Sequence, residues 1–253
     1  MGIINITPDS FFDASRCESK EAILSKTEQM VREGASILDI GACSTRPGSS
    51  PTSGEDEMKR MRFALELIRE KYPEVRLSVD TFRSNIARMA VKEFGVEIVN
   101  DVYGNDEKMF DTVADLGCTY VVTHSSEVDS TSSDDLIRKI FVFFAKRIDT
   151  LRSKGVQNIL VDPGFGFGKT MEQNFELLSL SRELKTLGCP LLIGISRKRM
   201  IWQSLGITPQ ESLNGTSVLN TLALTQGANI LRVHDVKEAK QCVDLYNMYN
   251  KLR

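Results

Sequence analysis

Eight times along the chain a short apolar, β-branched run is followed by a longer amphipathic segment, and this alternation restricts the fold more than any other feature. The runs are "GIINI" (2–6), "SILDI" (36–40), "RLSVD" (76–80), "EIVND" (97–101), "TYVVTH" (119–124), "NILVDP" (158–163), "PLLIGIS" (190–196) and "NILRVH" (229–234). Each reads as a buried strand. The intervening segments read as helices. The fifth, "SSDDLIRKIFVFFAKRIDTLRSKG", opens with hydroxyls and acids and closes with Lys154 and Gly155, the order favoured by the helix dipole and a glycine C-cap. Six of the seven internal helix-to-strand junctions carry a glycine (Gly34, Gly95, Gly117, Gly155, Gly188, Gly227), and the seventh uses Pro73. These junctions are short, whereas the strand-to-helix connections 7–20, 41–54 and 124–133 are long and polar.

Eight such units in about 250 residues predict a closed (β/α)8 TIM barrel of the α/β class. No linker or change of composition divides the chain, so residues 1–253 read as a single domain. A doubly wound open sheet would more often show a glycine fingerprint after its first strand, where "NITPDSFF" stands instead.

Composition narrows the partners. The net charge of −2 offers no basic surface for nucleic acid, so any anion must be held by a local cluster of cations. Five scattered cysteines without a C-x-x-C pair argue for a reduced, cytoplasmic chain and against a structural zinc. The start "MGIINITPDS" lacks the features of a signal peptide, and no window approaches the roughly 18 apolar residues of a membrane span.

In a barrel of this kind the active site lies at the C-terminal ends of the strands. Those ends deliver Asn5, the loop residues Ser44, Thr45 and Arg46, then Asp80, Asn100, Asp101 and His124, then Asp162, Ser196 with Lys198, and Arg232 with His234. A single Asp or Asn there could simply cap the next helix. Polar groups at all eight ends, including both histidines, are harder to explain by capping. Asp80, Asn100 and Asp162 close buried strands and should point into one cavity. Two carboxylates and an amide suit a flat heterocycle carrying several N–H donors. Lys198, Arg232 and His234 supply cationic donors for oxygens, phosphate included, and Arg232 and His234 stand two apart on one strand face. No Cys/His cluster at metal spacing and no Ser–His–Asp arrangement is evident, which leaves room for a hard cation such as Mg²⁺ held by few protein ligands and by substrate phosphates.

The stretch "DPGFGFGKT" (162–170) approaches a P-loop, but that motif requires glycine where Pro163 stands. It reads better as a flexible rim, with Phe167 available to stack and Lys169 to anchor.

Taken in order, "NITPDSF", "GACSTRPGS", "SVDT", "IVND", "DPGFGFGK", "ISRKRM", "LNGT" and "RVHDV" resemble the dihydropteroate synthase family over residues 2–236. The resemblance implies condensation of (7,8-dihydropterin-6-yl)methyl diphosphate with p-aminobenzoate to 7,8-dihydropteroate and pyrophosphate. It implies that Asp80, Asn100 and Asp162 hold the pterin, that Lys198 donates to the carbonyl side of its ring, and that Arg232 lies against it. Arg232 and His234 would face the phosphates, Asn5 would ligate Mg²⁺, and Thr45 would bind diphosphate or pterin. Asp9 and Arg46 would meet when the loops 7–16 and 42–52 close. Ser196, Phe167 and Lys198 would help form the p-aminobenzoate pocket, where sulfonamides compete. The path implied is SN1-like, and the assembly a homodimer through the last helices. A pterin-binding methyltransferase barrel would have no reason for the diphosphate set Thr45, Arg46, Arg232 and His234. A non-catalytic relative would have no reason to keep Asn5, Asp9 and Arg46. The sequence departs from the family after the fifth strand, where "THSSEVDSTSS" replaces Met-His-Met followed by a Gly-x-Pro segment.

Overall fold

The computed structural model describes residues 1–6, 16–43, 52–104 and 106–251. Among these residues eight strands are present where the apolar runs predict them. They are β1 (Gly2–Asn5), β2 (Leu38–Gly41), β3 (Leu77–Asp80), β4 (Ile98–Asp101), β5 (Thr119–Thr123), β6 (Ile159–Asp162), β7 (Leu192–Ile193) and β8 (Ile230–Leu231). Strands β1 to β6 pair in parallel in sequence order, and β7 pairs with β8. Two single bridges close the ring, Val161 with Leu191 between β6 and β7, and Gly2 with Val233 between β8 and β1. The result is a closed eight-stranded barrel, as the alternation predicts.

The helices lie outside this ring: α1 (Arg16–Arg32), α2 (Gly54–Lys71), α3 (Ser84–Phe94), α4 (Glu107–Leu116), α5 (Ser133–Ser153), α6 (Met171–Leu180), α7 (Arg199–Leu205), α8 (Leu213–Thr225) and α9 (Val236–Lys251). Helix α5 shows why the sequence makes a helix here. Ser132 accepts a hydrogen bond from the Asp135 N–H at 3.2 Å, acids fill the first turn, and Leu136, Ile140, Phe144, Ile148 and Leu151 form one buried stripe. At its far end Gly155 turns left-handed (φ +93°), a conformation glycine adopts without penalty. The segment from Thr208 carries capping-box residues, yet 209–212 form turns and α8 begins only at Leu213. The Thr208 hydroxyl donates to Glu211 at 2.8 Å instead of accepting a helix N–H, so the box is only half made.

Side-chain alternation splits the apolar residues into two cores. Ile37, Ile98, Val121, Leu160 and Leu192 plug the barrel interior. The residues between them, such as Leu38, Val99, Tyr120 and Val161, pack outward against the helices. Two residues further along most strands the inward positions change from apolar to polar, as at Asp39, Asn100, Thr123 and Asp162. That change lies at the C-terminal end of the barrel and creates the site.

Candidate active site

Four strands bring the central cluster together. Asp39 from β2, Asp80 from β3, Asn100 from β4 and Arg232, just after β8, all lie on inward positions. The Arg232 guanidinium donates from Nε to Asp39 Oδ2 at 2.7 Å and from Nη2 to Asp80 Oδ2 at 2.6 Å. Asn100 Nδ2 donates to the same Asp39 oxygen at 3.1 Å. Burial opposes the charge on Arg232, but Asp39 and Asp80 more than offset it and raise its pKa. Burial pushes the Asp80 carboxyl up to about 7, with Arg232 opposing and Asp39 adding to the rise. Asp162, at the end of β6, is likewise raised by burial, against the pull of Lys198. Asp162 accepts the Gly164 N–H at 2.8 Å, which fixes its carboxylate at the start of the next loop.

That loop is held by two lysines. Lys169 donates to the carbonyls of His124, Gly164 and Phe167 at 2.9, 3.1 and 3.0 Å, so all three ammonium hydrogens are used. Burial lowers its pKa to about 7, against the nearby Asp162. Lys198 donates to the Phe165 carbonyl and lies 4.8 Å above the centroid of the Phe167 ring, within cation–π reach. Burial lowers Lys198 to about 8 while Asp162 draws it back up. Lys169 and Lys198 thus tie this rim segment together, with Phe167 packed beneath the Lys198 ammonium.

Ser196 and His234 meet across β7 and β8. The Ser196 hydroxyl accepts the backbone N–H of His234 at 3.2 Å and lies 3.1 Å from the ring Nδ1. Between Ser196 and Lys198, Arg197 has φ +55°, the one non-glycine residue with positive φ among those described. A two-point ion pair with Asp235, at 2.8 and 2.9 Å, secures it there. Asn5 ends β1, and a Cβ placed on Gly41 would come within 3.3 Å of its Oδ1, so that side chain lies over bare backbone.

The structure thus gathers Asn5, Asp80, Asn100, Asp162, Phe167, Ser196, Lys198, Arg232 and His234 at one end of the barrel. Asp9, Thr45 and Arg46 lie outside the described residues. Two expected rim residues face the other way. Asp101 points outward and accepts from the Tyr120 hydroxyl at 2.8 Å, while the His124 ring packs edge-on to Phe143 of α5 at 4.7 Å. Burial lowers the His124 pKa to about 4, as suits a neutral ring in an aromatic layer. Sequence reasoning missed Asp39, an acid inside the apolar run "SILDI", and the structural part played by Arg197 and Asp235.

Among the described residues no group of three or more His, Cys, Asp or Glu side chains could hold a metal. Asp80, Asn100 and Asp162 together can bind a flat ring with N–H donors. The arrangement can also place cations beside an anionic tail.

The pterin-binding enzyme family model matches residues 1–234. The folic acid synthesis protein of Pneumocystis carinii is 39% identical over 94% of this chain, and the chain spans 34% of that protein's length. The dihydropteroate synthase of Escherichia coli K12 is 36% identical over 96% of this chain and 88% of its own. A dihydropteroate synthase from Clostridium difficile, solved in the presence of pteroic acid, superposes with a TM-score of 0.92 at 35% identity, covering 98% of this chain and 95% of that one. The geometry and these likenesses agree, and the chain belongs to the pterin-binding enzyme family, among its dihydropteroate synthases.

Proposed function

We propose that this chain joins (7,8-dihydropterin-6-yl)methyl diphosphate to p-aminobenzoate in folate synthesis. The observation that carries the reading is the Arg232 guanidinium clamped between Asp39 and Asp80 beside Asn100 and near Asp162, in a chain of this family. Asp80, Asn100 and Asp162 hold the pterin, with Asp162 accepting from its 2-amino and N3–H edge and Lys198 donating to its carbonyl side. Arg232 lies against the ring and, with His234, faces the diphosphate. The family resemblance assigns Thr45, Asp9 and Arg46, which lie outside the described residues, to the same anion site. Phe167, Ser196 and Lys198 line the place of p-aminobenzoate, for which sulfonamides compete.

The bond that breaks joins the pterin methylene to a diphosphate oxygen, which leaves with the electron pair as pyrophosphate. The bond that forms joins that carbon to the amine nitrogen, whose proton passes to water. An aromatic amine is already neutral at pH 7, so no strong base is needed, and the barrier lies in the departure of a charged group. The carboxylates around the ring favour the pterin cation left behind. Asn5 fits a hard cation such as Mg²⁺: its amide oxygen is a neutral oxygen donor, and the Gly41 backbone beside it carries no side chain. Mg²⁺ held by Asn5 and phosphate oxygens would neutralise charge on the leaving group.

Helices α8 and α9 leave Val218, Leu222, Leu245 and Met248 exposed, which supports a homodimer through these helices. Cys118, Cys189 and Cys242 are thiols, in keeping with a reducing cytoplasm. No helix among the described residues is long and apolar enough to cross a membrane.

The test is pyrophosphate release by the purified chain with Mg²⁺, with and without p-aminobenzoate, and again with a chelator. Release that is slow with the diphosphate alone, faster with both substrates and lost on chelation is expected. No release with both substrates and Mg²⁺ would sink the reading.

A further inference from the structure

Asp39 touches two of the residues that the reading above gives to the pterin, yet no role has been assigned to it. It is fully buried, one layer above Ile37 in the barrel interior. Its Oδ2 receives both the Arg232 Nε–H and the Asn100 Nδ2–H, while its Oδ1 is buried with no partner. An ionised carboxylate can only accept hydrogen bonds, so the neighbouring amide must turn its nitrogen toward Asp39. The Asn100 oxygen is thereby turned away from Asp39. An amide left to itself could present either end to a ligand. Asp39 removes that choice, and it also fixes the edge on which Arg232 is held.

We propose that Asp39 is a positioning residue that sets the polarity of Asn100, so that the site presents an amide oxygen to a ring N–H donor, and that it seats Arg232 at the same time. The proposal rests on the pterin-binding reading of this site. Replacement of Asp39 by Asn removes the acceptor-only constraint with almost no change of shape. Asn100 can then flip, and the ligand meets an NH2 group where it needs an oxygen.

The test uses pteroic acid as the probe, with dissociation constants measured by calorimetry for wild type and D39N, alongside KM and kcat for both substrates. Loss of a hydrogen bond to a charged group predicts roughly tenfold weaker pteroic acid binding. KM for the pterin diphosphate should rise in parallel, with KM for p-aminobenzoate changed much less. A second variant pair separates polarity from packing. N100D alone sets two carboxylates side by side and should bind poorly. The exchange D39N/N100D restores a donor–acceptor pair with an oxygen still offered to the ligand, and should recover affinity. Where D39N does not fold, the nitrogen-15 signal of the wild-type Asn100 side chain decides. Its carboxylate-bonded proton should persist when pteroic acid binds, and its displacement overturns the proposal. Wild type that fails to bind pteroic acid removes the pterin reading itself. Wild type that binds, with D39N binding equally well, removes only the role of Asp39.

Discussion

Arg197 sits in the left-handed backbone region at φ +55° and is pinned there by Asp235, which takes both Nε–H and Nη2–H at 2.9 and 2.8 Å. The pair joins the ends of β7 and β8, and its flanking residues, Ser196 and Lys198 on one side and His234 on the other, are all site residues. A non-glycine residue in this region costs of order 1–3 kcal/mol and persists only where its surroundings hold it. Asp235→Ala should therefore lower stability by about 2 kcal/mol, as loss of a charge-assisted, two-point contact implies. It should lower kcat/KM by more than that loss of folded protein accounts for, since Ser196 and Lys198 shift with Arg197. Urea titration and steady-state kinetics on the same preparation check both halves. Arg197→Lys keeps the charge but not the planar fork, and should restore little.

A second prediction concerns pH. Burial raises the Asp80 carboxyl from 3.8 to about 7. Within that window the unfolded chain has released the proton and the folded chain still holds it, so the folded state binds more protons. The Asp80 contribution to stability must then fall as pH rises from about 4 to about 7, opposite in sign to that of His124, which burial lowers to about 4. Asp162, also raised by burial, acts in the same direction as Asp80. Asp80→Asn removes its share, so the unfolding free energy of that variant should fall less, or rise more, with pH than that of wild type. Equal slopes from urea titrations at pH 5, 6 and 7 would refute this.

The alternation of inward and outward side chains explains both what could be read from the sequence and what could not. Asp80, Asn100, Asp162 and Arg232 end or follow strands on inward positions, so a count of strand ends finds them. Asp101 directly follows the inward Asn100 and must face outward. His124 stands four residues after the outward Tyr120 and shares its face, against Phe143 of α5. Taking every polar residue at a strand end as part of the rim ignored this period of two. Asp39 shares the face of Ile37, and an acid on an inward position of an apolar run was the signal to find it. The carbonyl contacts of Lys169 and Lys198 join segments distant in sequence, and no local pattern encodes them. The barrel itself was legible because eight similar units each declare their strand, helix and glycine turn.

Gly164 tests how tightly the Asp162 loop is built. It has φ +70°, and a Cβ there would collide with the His124 carbonyl, an atom of the neighbouring backbone that also receives Lys169. Its N–H holds the Asp162 carboxylate. Gly164→Ala combines a strained backbone conformation with a clash that no side-chain rotation relieves, so a loss of more than about 3 kcal/mol is expected. Any folded fraction should bind pteroic acid more weakly, because Asp162 can no longer be held in place. Thermal unfolding with and without pteroic acid reads both effects, and an unchanged midpoint would show that the loop can rearrange.

The last prediction concerns assembly. On α8, Val218 and Leu222 are four residues apart and 51% and 46% exposed, and on α9 Leu245 and Met248 are three apart and 67% and 64% exposed. Residues three or four apart share a helix face, so each helix turns a short apolar stripe to solvent. Leu219, Ala223 and Leu224, on the other side of α8, are buried in the barrel's outer core, so the stripe is not needed for folding. If a second copy covers it, Leu222→Glu with Leu245→Glu places four like charges in one dimer interface and should yield a monomer. The barrel beneath should stay intact. Sedimentation velocity gives the mass and circular dichroism the fold. Because the site residues gathered at the barrel's end all come from one chain, the monomer should still bind pteroic acid. A wild-type chain that sediments as a monomer would overturn the dimer, and a double variant that still sediments as a dimer would place the interface elsewhere.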